Sequence, residues 1–330
     1  MTQTNRLHWV DIGKGILILL LLVHHFGSAV HRTEMINMSD FWFVTLWQPL
    51  FTAFFMQAFL FMSGFCSNFK KEPKDFIIGL LKQIIIPFLV FEFLVCIYWS
   101  GSITKAFDFW IASGGTHYWF LNALALSKIY IYLFIRITDK NWLLLASTFL
   151  LLIVAVFFND FDLGPNFMCL RLSVGSIFFV ALGYVIKGRQ ELLERNTKYL
   201  IWIYPLLILA CFLLHIRVPS FTAGMDVHLK VFPLFILTSI SGIYIYIYIC
   251  KKLQKNTFFE YFGRNSLIVY CLHFIPLLFF TQILYSLILP ETIVMRLLYI
   301  LALYAAEVSV CALLIEIFKY PPFKWIIGRY

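Results

Sequence analysis

Charged residues are scarce in this sequence of 330 residues: Asp, Glu, Lys and Arg make up 13% of it, whereas hydrophobic residues make up 62%. A soluble globular protein carries about 25% charged residues, so this composition excludes a pair of ordinary soluble domains. Polar stretches long enough for a separate soluble domain are also missing, because apolar runs follow one another nearly from end to end. We therefore expect a single polytopic membrane domain over residues 1–330.

The sequence also lacks paired cysteines. Its seven cysteines lie in or beside apolar runs and form no CxxC pair, the spacing that is typical of many zinc sites. This distribution predicts cysteines that pack as small hydrophobic side chains, with no disulfide framework and no bound metal or cofactor. A cleavage site of the Ala-x-Ala type is absent after the first apolar run, which we expect to remain in the protein as its first span.

Long apolar runs predict the fold class. A helix needs about 20 residues to cross the hydrocarbon core of a bilayer, with a working range of about 17–25. Ten segments meet this requirement: 12–30, 41–65, 76–99, 118–136, 142–158, 171–186, 199–216, 230–250, 266–288 and 294–318. The sequence thus predicts an all-α integral membrane protein with about ten transmembrane helices.

The formal net charge of +9 comes from short clusters of Lys and Arg between the apolar runs, such as those at 70–74 and 251–255. With ten spans, most of these cations fall on the side that carries both termini, and the positive-inside rule places that side in the cytoplasm. Such a pattern is typical of topology determinants. We therefore expect the lipid bilayer as a partner and no nucleic acid.

Ionisable side chains inside a span are costly, and the first span carries the most informative set. Lys14 and His25 are eleven residues apart, so they lie about 20° from the same face of a helix, with His25 roughly 16 Å deeper. Asp11 precedes Lys14 by three residues on the same side. An imidazole titrates near neutral pH, and we interpret His25 as a general base. His24 points elsewhere and fits a packing histidine.

Several motifs resemble membrane acyltransferase family 3, whose members are also described as fucose-4-O-acetylase-like integral membrane acetyltransferases. In chain order they are 11–25 (DIGKGILILLLLVHH), 55–65 (FMQAFLFMSGF), 82–87 (KQIIIP), 117–121 (HYWFL), 178–184 (FFVALGY) and 262–273 (FGRNSLIVYCLH). Each motif alone is weak, but six in order are specific. The sequence departs from the family at Lys14, where many members carry Arg, and at Gln57 and Ala58, which replace Pro-Leu.

The resemblance implies an O-acetyltransferase of the bacterial cytoplasmic (inner) membrane. Its expected donor is acyl-CoA on the cytoplasmic side, with acetyl-CoA as co-substrate. Its expected acceptor is a hydroxyl of a cell-envelope sugar or polysaccharide. In that reaction His25 would be catalytic together with Asp11 and Lys14, and Asp11 would orient Lys14 or hold the N-terminus of the first span. Direct transfer and a covalent acyl-histidine both remain open.

Further residues are candidates for binding the substrates. Lys14, Lys82 and Lys128 offer cations to the donor phosphates, although Lys82 also fits a side chain that snorkels to the interface. Ser63, Trp119 and Asn122 are candidates for stabilising the oxyanion. Ser266, Tyr270 and His273 recur at i, i+4 and i+7 on one helical face, either near the donor or in a structural hydrogen bond.

Two other functional classes compete with this reading. Intramembrane Glu, Lys and His also occur in transporters, and ten helices suit a sugar exporter. The halves of the chain show no repeat, however, whereas many carriers have one. A scaffold or sensor would not need Asp11, Lys14 and His25 on one stripe. The sequence leaves open the roles of the acidic residues inside or near spans, which are Glu92, Glu307 and Glu316.

Overall fold

The computed structural model describes residues 7–33, 41, 46–113, 117–163, 169–193, 197–222, 225–288 and 290–327. Regular secondary structure in these ranges is helical, and an isolated bridge joins Ser220 to Asp226. The α-helices are α1 (His8–Thr33), α2 (Pro49–Thr52), α3 (Phe55–Cys66), α4 (Pro73–Leu80), α5 (Ile86–Ser100), α6 (Ile103–Ser113), α7 (Trp119–Ile137), α8 (Asn141–Asp160), α9 (Leu170–Lys187), α10 (Thr197–Leu213), α11 (Phe232–Lys252), α12 (Thr257–Arg264), α13 (Ser266–Leu272), α14 (Phe274–Ile288), α15 (Ile293–Ile317) and α16 (Phe323–Ile326).

Eight helical segments of the described residues are long and apolar enough to cross a membrane, and a bent pair, α13 with α14, makes up to nine. The eight are His8–Phe26, Pro49–Cys66, Pro73–Ser100, Trp119–Ile137, Asn141–Asp160, Leu170–Lys187, Leu229–Lys252 and Ile293–Ile317. The predicted all-α membrane fold is therefore confirmed. The predicted span at 199–216 corresponds to a shorter apolar helix, Leu200–Leu213, which contains Pro205. The number of ten and the cytoplasmic termini stay predictions.

Two of the predicted spans depart from a regular α-helix, one by a bend and one by a π-helical turn, and each departure lies near a proline. The span predicted at 266–288 bends by 54° where α13 gives way to α14 at His273. Pro276 lies four residues after Leu272, and a proline ring clashes with the carbonyl group four residues before it. The span predicted at 76–99 contains a π-helical turn, Leu81–Ile85, directly before Pro87. There the N–H of Ile86 bonds the carbonyl of Leu81, which inserts one extra residue into the helix.

The chain forms two compact units. We call Met1–Thr52 with Ile249–Phe323 the terminal unit, and Ala53–Tyr248 with Lys324–Tyr330 the central unit. Many large apolar side chains of the spanning helices are exposed, as expected for residues that face lipid.

In the terminal unit, α1 packs most extensively against the short helix α12. Two glycines permit this contact. A Cβ atom at Gly15 would overlap the backbone oxygen of Phe259, and one at Gly263 would overlap the backbone oxygen of Asp11. The backbones of α1 and α12 therefore approach as closely as small residues allow in membrane helices. This contact places α12 beside the N-terminal part of α1, from Asp11 to Gly15.

In the central unit, α9 buries most of its residues and packs against α3, α7 and α8. A second pair of glycines sets its contact with α3. A Cβ atom at Gly64 would overlap the backbone oxygen of Val180, and one at Gly183 would overlap that of Phe61. Both glycines belong to motifs that the sequence analysis singled out. The structure accounts for them by helix packing.

Candidate functional site

His25 and His273 lie side by side in the terminal unit. Helix α1 is continuous from His8 to Thr33, so the predicted alignment of Asp11, Lys14 and His25 along one face follows from its geometry. The ring centroids of His25 and His273 are 4.9 Å apart, and the ring of Phe274 lies 5.6 Å from that of His25. His24 contacts His25 edge-on at 5.3 Å. The structure thus brings together two candidates that are far apart in the sequence.

The break between α13 and α14 fixes the orientation of His273. Its side chain is buried, and its Nδ1 lies 2.9 Å from the carbonyl oxygen of Tyr270 and 3.2 Å from that of Val269. Carbonyl oxygens only accept hydrogen bonds, so Nδ1 carries the proton and Nε2 keeps its lone pair. Among the described residues, Nε2 of His273 has no hydrogen-bond partner. His273 therefore presents a buried proton acceptor.

The other predicted residues of that face, Ser266 and Tyr270, are partly exposed. The rings of Tyr270 and His273 are 6.4 Å apart. Ser266 and Tyr270 lie on one face of α13, as predicted, and His273 follows directly at the end of that helix. Whether these side chains contact a donor stays a prediction.

Asp11 belongs to a charged cluster that the close contact between α1 and α12 assembles. Its Oδ2 accepts a hydrogen bond from Nε of Arg264 at 3.3 Å, and Arg264 also pairs with Glu260. Nδ1 of His8 lies 2.8 Å from Oε1 of Glu260. Asp11 lies in the first turn of α1, where a negative charge favours the helix N-terminus. This supports the second of its two predicted roles.

Three members of this cluster were not predicted from the sequence: Arg264, Glu260 and His8. Arg264 lies just before the predicted span at 266–288, where the sequence predicts an ordinary loop charge. The structure instead gives it two carboxylate partners, Asp11 and Glu260, whose side chains are 8% and 5% exposed. A buried carboxylate needs a cation or several hydrogen bonds, so Arg264 offsets part of the cost of burying both side chains. The signal that could have revealed it is the acidic residue four positions earlier on the same helix.

The remaining predicted residues belong to the central unit. Trp119 is buried at the first position of α7, and Asn122 and Lys128, further along that helix, are partly exposed. Ser63 is partly exposed on α3. Lys82 lies in the π-helical turn, a feature that is frequent at functional sites. Their predicted roles toward an oxyanion or donor phosphates stay predictions.

A cavity of about 730 Å³ opens on the central unit between the ends of α3, α7 and α9. Four cations and two acids line it: Lys70, Arg136, Lys140, Lys187, Glu72 and Asp139. Arg136 donates to the backbone oxygen of Lys71 at 2.7 Å, and Lys187 donates to that of Ser67 at 3.0 Å. From the sequence, Arg136, Lys140 and Lys187 were predicted as topology determinants, and Lys70 as either a topology determinant or a cation for the donor phosphates. The structure shows that they also surround a space large enough for a ligand.

The three acids that the sequence left open have different surroundings. Glu92 accepts from Nδ1 of His117 at 2.9 Å and from the backbone N–H of Tyr118 at 3.0 Å. Glu316 accepts from the hydroxyl of Tyr261 at 2.7 Å and also pairs with Lys319. Glu307 is 1% exposed, and its Oε1 has no hydrogen-bond partner in the described part of the chain.

Burial raises the pKa of two groups outside the spanning segments, and two of these acids add to the effect. Burial raises the pKa of the Cys169 thiol to about 11, and the negative charge of Glu92 adds to this effect. Burial, followed by the hydrogen bond to Glu316, raises the pKa of the Tyr261 hydroxyl. Both groups therefore stay protonated at neutral pH, so neither Cys169 nor Tyr261 is a ready nucleophile.

Comparison with known proteins decides the family. The model of acyltransferase family 3, described as an acyltransferase domain, matches residues 7–316, nearly the whole chain. The chain belongs to this family. Neither a curated protein nor a solved structure matches it.

The predicted resemblance to this family is thereby confirmed for this acyltransferase. Acyl transfer in general follows from the family, as does a multi-pass membrane protein. Four of the six motifs carry residues that make specific contacts in the acyltransferase. The first and last carry the adjacent histidines His25 and His273, whereas the second and fifth carry glycines that pack α3 against α9.

Proposed function

We propose that this acyltransferase moves an acetyl group from acetyl-CoA, bound from the cytoplasmic side, to a hydroxyl of a cell-envelope sugar or polysaccharide. His25 acts as the general base. The observation that carries the proposal is the contact of His25 with the buried His273 in a chain of this family. An imidazole suits this role because its pKa lies near the working pH.

In the proposed reaction, His25 accepts the proton of the acceptor hydroxyl as its oxygen attacks the thioester carbonyl. A carbon–oxygen bond forms, and the tetrahedral intermediate collapses by breaking the carbon–sulfur bond. The CoA thiolate leaves and takes the proton from the imidazolium of His25. Atoms and charge therefore balance without a further reactant.

His273 has a supporting role in this proposal. Its Nδ1 proton is committed to the backbone of α13, so Nε2 can only accept. An imidazolium at His25 would lie beside this acceptor, with ring centroids 4.9 Å apart. A fixed acceptor dipole beside a charge that develops during the reaction stabilises the transition state.

The cations of the acyltransferase support the choice of donor. CoA carries several phosphate charges, and four Lys and Arg side chains surround the cavity of the central unit. Cations in a concave site raise the local concentration of an anionic ligand and bind its phosphates. Lys14 offers one more cation on α1, a point charge where an arginine would form a bidentate pair.

The test uses inverted membrane vesicles supplied with radiolabelled acetyl-CoA and extracted cell-envelope polysaccharide. Free CoA thiol and labelled polysaccharide are measured for the wild type, His25→Ala and the matched control His24→Ala. General base catalysis contributes about 10² to 10⁴ in rate, so His25→Ala should lose at least about 10²-fold while His24→Ala keeps most activity.

Full activity in His25→Ala would contradict the assignment of the base. A wild type that transports sugar across sealed vesicles and releases no CoA thiol would favour the alternative function, a sugar transporter.

A further inference from the structure

Glu92, Cys96 and His117 form a compact set of oxygen, sulfur and nitrogen donors in the central unit. One ligand atom from each residue can be chosen so that all three lie within 4.8 Å of one another. Glu92 and Cys96 are four residues apart on α5 and therefore share a face of the helix. His117 approaches from the segment before α7. The three donors thus come from two separate parts of the chain.

From this geometry we infer that Glu92, Cys96 and His117 bind a zinc ion. Thiolate, imidazole and carboxylate are the three side-chain ligands that Zn²⁺ takes in proteins, with bonds of about 2.0–2.3 Å. Two ligands 2.05 Å from a tetrahedral ion are about 3.3 Å apart. Nδ1 of His117 and Oε1 of Glu92 are 2.9 Å apart, so they need to separate by only a few tenths of an ångström.

The charge balance of the site favours a divalent ion. Zn²⁺ with one thiolate, one carboxylate and one neutral imidazole has no net charge. Glu92 is 1% exposed and Cys96 is fully buried, and both lie on a helix that spans the membrane. A net charge is expensive in such surroundings, whereas a neutral complex is not.

A backbone hydrogen bond orients the carboxylate of Glu92 in the way that is common for carboxylates that bind metals. Oε2 accepts the backbone N–H of Tyr118, which leaves Oε1 on the side of His117. Hydrogen bonds to the second oxygen of a ligating carboxylate orient it in many metal sites. Tyr118 is itself buried, so this hydrogen bond is shielded from water.

Three protein ligands leave one position of a tetrahedral zinc ion open. Closed structural zinc sites have four protein ligands, and sites with three bind water or a substrate at the fourth position. The side chain of His117 is 20% exposed, whereas that of Glu92 is 2% exposed. A small ligand therefore reaches the ion from the side of His117. The fourth ligand is a water molecule or a hydroxyl group.

The experiment measures zinc in the full chain, purified in detergent. The protein is stripped with a chelator, equilibrated with Zn²⁺ and desalted, and bound zinc is measured by mass spectrometry of the metal. We expect one zinc per chain in the wild type. Cys96→Ser, Glu92→Gln and His117→Asn should each weaken zinc binding by about 10-fold or more. Co²⁺ in place of Zn²⁺ should show a sulfur-to-cobalt absorption band that Cys96→Ser removes.

Two matched controls are available in the same unit. Cys211→Ser removes another buried cysteine, and His228→Asn removes another histidine paired with a carboxylate, that of Asp160. Both controls should keep the zinc. The inference is overturned if the wild type holds no stoichiometric zinc, or if Cys96→Ser and His117→Asn retain it. Gel filtration of each variant separates lost binding from lost folding. The result does not depend on acyl transfer.

Discussion

Two helix–helix contacts, one in each unit, are made possible by a pair of glycines, but they differ in the side chains that lie next to the glycines. In the terminal unit, Gly15 and Gly263 let α1 and α12 approach until backbone touches backbone. In the central unit, Gly64 and Gly183 do the same for α3 and α9. In all four cases an added Cβ atom would overlap a carbonyl oxygen of the opposite helix.

The neighbours of these glycines differ. The first contact brings Arg264, the residue after Gly263, to Asp11 of α1. The second buries apolar side chains such as Phe65 and Val180. A close backbone contact in a membrane protein can therefore serve packing alone, or it can also position charges. The two roles can be separated by substitution.

The largest effect is expected when the first contact is forced apart. Gly263→Ala should lower the free energy of unfolding by about 1–3 kcal/mol through overpacking. It should also lower acyl transfer per folded chain by about 10²-fold, because small displacements of a positioned group are costly in catalysis. Thermal unfolding in detergent and transfer rates in vesicles measure the two effects.

Gly183→Ala is the matched change in the central unit and should cost similar stability without this loss of transfer. Equal losses of transfer in the two variants would show that both contacts act through packing alone.

The next substitution tests the charged cluster of Arg264, Asp11 and Glu260 without changing the contact between the helices. Arg264→Gln removes the guanidinium that bonds the buried carboxylates of Asp11 and Glu260, which should cost about 1–3 kcal/mol of stability. Arg217→Gln is the control, because Arg217 is 85% exposed and pairs with Asp226 at the surface. That change should stay within about 0.5 kcal/mol. Chemical unfolding followed by tryptophan fluorescence compares the two, and equal values would contradict the special role of Arg264.

A smaller effect is expected at the cavity of the central unit. Lys140→Gln removes one exposed cation of its lining and should raise KM for acetyl-CoA by about 3-fold to 5-fold, with kcat unchanged. The difference should shrink at high salt, because exposed charges are screened. Lys74→Gln removes a cation of α4 outside that lining and should leave KM unchanged. Identical KM values for both variants would exclude the cavity as the donor site.

The smallest effect tests whether glycine substitutions harm the protein in general. Gly79 lies in α4, and a Cβ atom there would meet no atom within 4 Å. Gly79→Ala should therefore stabilise the helix by about 0.5–1 kcal/mol and leave transfer unchanged. A destabilised variant would mean that the overlaps at Gly263 and Gly183 do not explain their effects.

The all-α membrane fold was predictable because apolar runs depend only on local sequence. The alignment of Asp11, Lys14 and His25 was also predictable, since it lies within one continuous helix. The partner of Asp11 was not, because Arg264 is 253 residues away and no periodicity links them. The pairing of His25 with His273 was hidden for the same reason.

The bend and the π-helical turn could have been predicted from two prolines in the sequence, which a hydropathy profile does not reveal. Pro276 and Pro87 stand within uninterrupted apolar runs, so a hydropathy window passes over both. Each removes one helical hydrogen bond, and the structure responds with a bend in one case and a π-helical turn in the other. The set of Glu92, Cys96 and His117 escaped notice because its donors follow no known metal-binding spacing.

Because of the π-helical turn at Leu81–Ile85, the direction in which the side chains of α5 point depends on the number of residues in that turn. One extra residue turns every later position of α5 by about 100° around its axis. Deleting a single residue from this turn would rotate Glu92 and Cys96 together toward a different neighbour, although no donor would be lost.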